Sequence, residues 1–118
     1  MRQPLAIESF GRGGFRVAGV WRAGSLMILD DIAYDWPPAS CADLTAADFA
    51  AAMAAPRGQV EFVLLGTGVA QSLPPASVRE GLRAAGVGLE FMATEAAARM
   101  HNVLASQGRR FVSGLIAI

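Results

Sequence analysis

The sequence predicts an α/β domain in which an N-terminal group of β-strands packs on a C-terminal β-α-β-α-β unit. The strongest sign is residues 60–65, a nearly uninterrupted apolar run of the kind that forms a strand buried on both faces. Two helix-like patterns follow, and each leads into another apolar segment, at residues 87–92 and 111–118. Because strands and helices that alternate through short links form right-handed crossovers, these three strands should be mostly parallel.

Length and composition limit the function classes. The 118 residues suit one domain, residues 1–118, and 53% hydrophobic against 17% charged residues is typical of a globular chain. Ten basic and ten acidic residues cancel, so no overall field attracts nucleic acid or a membrane surface. All the basic residues are arginines, which excludes chemistry that needs a lysine.

The expected location is the cytoplasm. No signal-peptide pattern opens the chain, and no uncharged apolar run approaches the length of a membrane span, so we do not expect an integral membrane protein. The single Cys41 cannot form an internal disulfide, which fits a reducing compartment.

Short strands separated by glycine and proline are predicted in the N-terminal half. Residues 15–22 resemble one strand with a bend at Gly19, and residues 25–29 resemble a strand covered on both faces. Ala23-Gly24 predicts a hairpin connection between these two strands. Further extended segments are expected at residues 5–10 and 32–36.

Three helices are expected. Residues 46–55, capped by Thr45 or Asp43 and ended by residues 56–58, form the first. The second follows Pro75 and ends at Gly86, and the third covers residues 95–107 with Thr94 as N-cap. Apolar spacing predicts the inward-facing residues of the last two helices: Val78, Leu82 and Ala85, then Ala96, Met100, Val103 and Leu104.

A candidate polar site lies where parallel strands end and helices begin, since ligands of open α/β sheets tend to bind at that edge. Gly66, Thr67 and Gly68 follow the buried strand, and Thr94 follows the next one. On the last helix, Glu95, Arg99, Asn102 and Ser106 share one face, so Arg99 and Asn102 could complete a small anion or amide site. In the structural alternative, Glu95 and Arg99 form a surface ion pair, and Asn102 forms hydrogen bonds with backbone groups.

No catalytic residue, metal ligand set or cofactor is predicted. Gly66-Thr67-Gly68 lacks the third glycine of a dinucleotide fingerprint, because residue 71 is Gln. His101 is the single histidine and has no orienting carboxylate on its own helix face.

A set of motifs runs through nearly the whole chain, at Trp36 and at residues 24–26, 62–68, 86–94, 97–99, 102–104, 108–110 and 115–117. Through these motifs the chain resembles the Mth938-like (DUF498) family. The resemblance implies a compact α/β fold with an N-terminal β-subdomain on a β-α-β-α-β unit. Gly66, Thr67, Gly68, Thr94, Arg99 and Asn102 match positions that the family pattern emphasises, whereas His101 stands where the family usually has an aromatic. This departure predicts a packing role for His101.

Two functional hypotheses remain open at this point. The family includes the mitochondrial complex I assembly factor 3, so the resemblance implies a non-enzymatic binding or assembly module with protein partners in respiratory-complex biogenesis. The alternative is a small-molecule (anion) binding protein or enzyme that uses Gly66-Thr67-Gly68, Arg99 and Asn102. The apolar chain, with no net charge, also predicts a homodimer through exposed strand or hairpin surface, and no nucleic-acid partner.

Overall fold

The computed structural model describes residues 3–56 and 58–118, which form two β-sheets with helices on both sides of the larger one. The strands are β1 Ile7–Gly11, β2 Gly14–Val17, β3 Val20–Ala23, β4 Ser25–Leu29, β5 Ile32–Trp36, β6 Phe62–Gly66, β7 Gly88–Met92 and β8 Phe111–Leu115. The α-helices are α1 Ala50–Ala54, α2 Ala76–Ala84 and α3 Thr94–Ser106, and 3₁₀ turns cover Cys41–Asp43 and Ala46–Phe49.

The larger sheet has the order β5-β4-β8-β6-β7. Its strands β7, β6 and β8 run parallel, as the sequence predicts, while β4 and β5 are antiparallel additions. Val63, Leu64 and Leu65 of β6 are fully buried, which confirms that residues 60–65 lead into a strand covered on both faces. The middle position of the sheet belongs to β8, with β6 beside it.

Each face of the larger sheet carries its own apolar core. On one face, α2 and the 3₁₀ turns pack against the sheet through a cluster that includes Trp36, Phe49 and Leu82. On the other face, α3 and the smaller sheet β1-β2-β3 share a cluster that includes Phe15 and Leu64. The domain is therefore layered, and its N-terminal β-subdomain packs on the C-terminal unit as the fold class predicts.

The predicted single strand at residues 15–22 is wrong, because the chain reverses at Ala18-Gly19. Both residues have positive φ, 51° and 76°, and β2 pairs antiparallel with β3 through Val17 and Val20. A two-residue reversal with positive φ at both positions matches the right-handed twist of the flanking strands, so a hairpin is more stable than a bent strand.

The predicted Ala23-Gly24 hairpin is also wrong. Strands β3 and β4 belong to different sheets, so these residues carry the chain from one sheet to the other. The hairpin of this region instead joins β4 to β5 through Asp30-Asp31, whose φ values are 53° and 59°. Asp tolerates this left-handed backbone better than most side chains, which explains two adjacent aspartates at the reversal.

The first helix is shorter than predicted. Its expected range divides into the 3₁₀ turn Ala46–Phe49 and α1. Thr45 begins this region as predicted, and its backbone N–H donates to a carboxylate oxygen of Asp48 at 2.8 Å. The predicted ending at residues 56–58 includes Arg57, which lies outside the described residues.

The inner faces of α2 and α3 differ from the predicted ones. Val78 and Leu82 are buried, but Ala85 is exposed. On α3 the buried residues are Thr94, Ala97, Ala98 and His101, whereas Met100 and Val103 are 40% and 50% exposed. Small alanines let this helix lie close on β6. Of the predicted stripe only Leu104 packs partly against the core, and Ala96, like Met100 and Val103, is exposed. No helix in the described part of the chain is long and apolar enough to cross a membrane.

Candidate functional site

The Gly66-Thr67-Gly68 turn is tied to α3 and to the end of β8 by buried hydrogen bonds. The Thr67 N–H donates to the Met92 carbonyl at 2.8 Å, and the Thr94 N–H donates to the Gly68 carbonyl at 2.8 Å. The Thr94 hydroxyl accepts from the Gly68 N–H at 2.9 Å and donates to the Ile116 carbonyl at 2.7 Å. We call Thr67, Gly68, Thr94 and Ile116 the threonine staple.

Thr94 is not the N-cap that the sequence predicts. Helix α3 begins at Thr94 itself, Ala93 occupies the capping position, and no side chain caps the helix. The Thr94 hydroxyl is fully buried and has two partners on neighbouring segments, which a water-exposed cap would lack. Buried polar groups need hydrogen-bond partners, and the two partners of this hydroxyl follow β6 and β8. Thr94 therefore joins the ends of these two strands.

Gly66 is required by close packing next to the staple. A Cβ atom at this position would lie 2.9 Å from Leu115 Cδ2, 2.9 Å from Thr94 Oγ1 and 3.0 Å from Thr94 Cα. These distances are too short for carbon at a backbone position, so a side chain would push α3 away from the sheet.

The staple also bears on the anion hypothesis. Two backbone donors at this edge, the Thr67 and Gly68 N–H groups, already have acceptors within the protein. An anion that used either of these two donors would have to displace its hydrogen bond. The geometry thus brings Gly66, Thr67, Gly68 and Thr94 together as a structural joint.

Arg99 and Asn102 contact other parts of the molecule. Arg99 pairs with Glu95 at 3.0 Å, and the two side chains are 69% and 57% exposed, as the structural alternative predicts. Asn102 accepts from the Ile7 N–H at 2.8 Å and donates to the Ile7 carbonyl at 2.9 Å. Asn102 therefore extends the hydrogen bonding of β1 and holds that strand on α3.

His101 completes the attachment of the N-terminal segment to α3. Its Nε2 lies 2.8 Å from the Leu5 carbonyl and its Nδ1 lies 2.7 Å from Ser113 Oγ. A carbonyl can only accept, so Nε2 carries the proton and Nδ1 accepts from the Ser113 hydroxyl. Burial lowers the pKa of His101, while the Leu5 carbonyl and the nearby Asp31 charge oppose this shift. The neutral, buried ring agrees with the packing role predicted for this position.

We expect His101 to make the protein less stable in acid. Its pKa in the folded state lies below the ordinary value of 6.5, so the unfolded chain takes up the proton more readily. The contribution is fully present above about pH 6.5 and is lost progressively as the pH falls below it. Urea unfolding at about pH 7.5 and about pH 5 should show a smaller acid loss for His101→Gln than for wild type. Equal acid losses in the two proteins would contradict this assignment.

The loop after the turn presents apolar side chains to solvent. The Thr67 hydroxyl donates to the Ala70 carbonyl at 2.8 Å and accepts from the Ser72 N–H at 3.1 Å, so the loop is held by a buried side chain. Within it, Val69 is 87% exposed and Leu73 is 63% exposed. We call residues 69–73 the apolar loop. No role is predicted for this loop from the sequence, although Val69 and Leu73 between Gly68 and Pro74 are a visible signal.

A concave surface lies at the opposite edge of the sheet. A groove of about 790 Å³ passes the first residues of β8 and the β4–β5 turn, and Asp30, Asp31, Arg109 and Arg110 are among the residues that line it. Glu61 pairs with Arg109 at 3.4 Å and Arg110 at 3.2 Å, and its pKa is lowered mainly by the hydrogen bond from Arg110. The sequence prediction placed no site here, because these charges come from segments far apart in the chain.

The described residues show little reactive chemistry. Cys41 is buried, and burial raises the pKa of its thiol, so it stays protonated. Within the described ranges, no group of three or more His, Cys, Asp and Glu side chains lies close enough to hold a metal ion.

The layered fold, with the staple joining its parallel strand ends, defines a mixed α/β domain of the Mth938-like class. The chain belongs to the DUF498 family, described as proteins of unknown function (DUF498/DUF598), and the family profile matches residues 7–116. An uncharacterized protein of Rhodobacter capsulatus is 38% identical over 112 residues, which cover 95% of this chain and 84% of the relative.

Solved structures share the whole fold. A crystal structure of a Bartonella henselae protein, described as an outer membrane protein, matches with a TM-score of 0.87 and 30% identity, covering 98% of this chain and 96% of the other. A solution structure of a Bordetella pertussis protein, described as a Mth938-like domain, matches with a TM-score of 0.79 and 28% identity, covering 95% and 85%. These matches confirm the fold class predicted from the sequence.

Proposed function

We propose that this protein is a non-enzymatic binding module that docks another protein on its apolar loop. The observation that carries the proposal is the exposure of Val69 and Leu73 on a loop held by the Thr67 hydroxyl. Single exposed aliphatic residues are common on protein surfaces. Two of them on one short loop with internal hydrogen bonds form an apolar surface that another protein can contact.

Burial supplies the driving force for such docking. Covering an exposed Val or Leu side chain contributes about 1.5–3 kcal/mol when it is complete. A loop that is already ordered loses little conformational freedom on binding, so more of that free energy remains as affinity. The staple would then act indirectly, by keeping the apolar loop in one conformation.

The class of partner follows from the family resemblance. Because the family includes an assembly factor of mitochondrial complex I, we propose a partner among proteins that assemble respiratory complexes, met by this protein from the cytoplasm. The proposed role needs no cofactor. It uses Gly66, Thr67, Gly68 and Thr94 as loop supports, leaves Asn102 as the attachment of β1 to α3, and leaves Arg99 in its surface pair with Glu95.

A pull-down from host membranes and cytosol tests the proposal. Tagged wild type, Val69→Gln/Leu73→Gln and Met100→Gln/Val103→Gln would be compared by mass spectrometry. The third protein is the matched control, since it also replaces two exposed apolar residues, 40% and 50% exposed, at a different surface. We expect a specific set of proteins to be retained by wild type and the control and lost by the loop variant.

Other outcomes would redirect the proposal. Equal retention by all three proteins would contradict the role of the apolar loop. Retention by none, from a folded bait, would favour the alternative of a small anion bound near Gly66-Thr67-Gly68, Arg99 and Asn102. A thermal-shift screen of metabolites would then be the appropriate measurement.

A further inference from the structure

The outer edge of β7 is open to an added strand. Within the described ranges, β7 pairs with β6 alone and ends the larger sheet. The Gly88 N–H donates to the Glu61 carbonyl, and the Met92 carbonyl accepts from Thr67, so these residues direct their backbone groups toward β6. In a parallel ladder the alternate residues direct theirs to the other side. Leu89 and Phe91 therefore present backbone donors and acceptors at the edge.

A shallow groove with two arginines runs beside this edge. Its volume is about 300 Å³, and it lies between α2 and β7, lined by Arg79, Arg83, Val87, Gly88, Leu89 and Phe91. Leu89 and Phe91 are half-buried against the core on the α2 side, which gives the groove an apolar floor.

Among the residues that the structure describes, Arg79 and Arg83 have no acidic partner. Arg79 donates through Nε to the Pro74 carbonyl at 3.1 Å, and no ion pair joins Arg79 or Arg83 to a carboxylate among the described residues. They stand four positions apart on α2, so their guanidinium groups lie on one side of the helix. The chain is neutral overall, which makes this pair a local positive charge.

We propose that the β7 edge binds an extended, acidic segment of a partner protein as a sixth strand of the larger sheet. This inference rests on the proposed protein-binding function and names the chemistry of the partner. Backbone hydrogen bonds to Leu89 and Phe91 would hold the segment, as in other cases of strand addition. Acidic side chains on the α2 side would neutralise Arg79 and Arg83.

The side chains on the two faces of β7 determine which residue pattern the bound segment should have. Glu90 belongs to the opposite face of β7, which packs toward α3, so acidic side chains on that face would meet a like charge. Acidic residues at every second position therefore fit this edge best, with neutral residues between them.

A second copy of this chain fits the edge poorly. Antiparallel pairing of two β7 strands about a two-fold axis would place the α2 helices on the same side of the joined sheet. The arginine pairs would then face each other across the junction, which is unfavourable. The homodimer expected from the sequence would need another surface, such as the β5 edge with exposed Ile32 and Tyr34.

A peptide titration followed by amide NMR tests the inference. The probes are acetyl-(Thr-Glu)₄-amide and, as its charge-reversed counterpart, acetyl-(Thr-Lys)₄-amide. We expect the acidic peptide to shift the Leu89 and Phe91 amide signals, and its affinity to fall about tenfold in Arg79→Ala/Arg83→Ala. The matched control is Arg12→Ala/Arg16→Ala, which removes two exposed arginines, one from the β1–β2 turn and one from β2. Circular dichroism would verify the fold of each variant.

The outcomes separate this inference from the proposed function. Absence of shifts at Leu89 and Phe91 with the acidic peptide at about 1 mM, equal shifts with the lysine peptide, or equal loss in both arginine variants would overturn the edge site. If the edge site fails this test but partner retention in the pull-down still depends on the apolar loop, the proposed function stands without the edge site. If the peptide binds as expected but the loop variant retains every partner, the edge is the binding surface and the apolar loop is not.

Discussion

Replacing Phe15 by alanine should lower the free energy of unfolding by about 4 kcal/mol, the largest effect we expect from a single change. Phe15 is fully buried in the cluster that joins the smaller sheet to the larger one, together with Leu26, Ile28 and Leu64. Truncation removes the apolar contact and leaves a cavity between two sheets that cannot close over it easily.

Urea unfolding followed by tryptophan fluorescence measures this effect. Trp21 belongs to the smaller sheet and Trp36 to the larger one, so single-tryptophan variants report on each sheet separately. Val20→Ala is the control, because Val20 is 57% exposed on the same small sheet and should cost less than about 0.5 kcal/mol. A loss near that of the control would contradict the role of Phe15. Different midpoints for the two tryptophans would contradict the prediction of one cooperative domain over residues 1–118.

Replacing Thr94 by valine should cost about 3 kcal/mol. Valine has nearly the shape of threonine, so the core around it stays filled and the change removes only the hydroxyl. The Gly68 N–H and the Ile116 carbonyl would then be buried without partners, and each unpaired group costs about 1–3 kcal/mol.

Thr94→Ser is the control for the threonine staple. Serine keeps both hydrogen bonds and loses one methyl group, which costs about 0.8 kcal/mol. Urea denaturation followed by circular dichroism should therefore rank wild type, serine and valine in that order of stability. Equal stability of the serine and valine variants would show that the hydroxyl contributes no more than one methyl group, about 0.8 kcal/mol, which would contradict its role in this joint.

Much of the fold follows from local patterns in the sequence. The apolar run at residues 60–65 and the helix patterns after it predict three parallel strands with helices between them, and β6, β7 and β8 have that arrangement. The extended segments at residues 25–29 and 32–36 are the antiparallel strands β4 and β5. Such signals are reliable because periodicity and turn residues act within a few neighbouring positions.

The candidate site shows the limit of such patterns. Sequence spacing places Arg99 and Asn102 on one side of α3, and the structure agrees, but their partners are Glu95 and Ile7. Spacing on one helix cannot say which segment will pack beside it, and Ile7 is 95 positions away. The β7 groove was missed for the same reason, since α2 and β7 contribute to it together, whereas the apolar loop has a local signal in Val69 and Leu73.

Local sequence patterns are enough to predict the class of fold, the parallel unit and the strands β4 and β5. Contacts between distant segments determine which face of α3 is buried, where the chain divides into two strands at Ala18-Gly19, and which groups the Thr94 hydroxyl joins, namely Gly68 and Ile116. Apolar residues lie on more than one face of α3, so spacing along the helix does not show which face is buried. The buried face is the one on which Ala97 and Ala98 allow a close approach to the sheet. Such contacts join segments that are far apart in the sequence. They contribute to stability only when the whole core is assembled, so local patterns cannot reveal them.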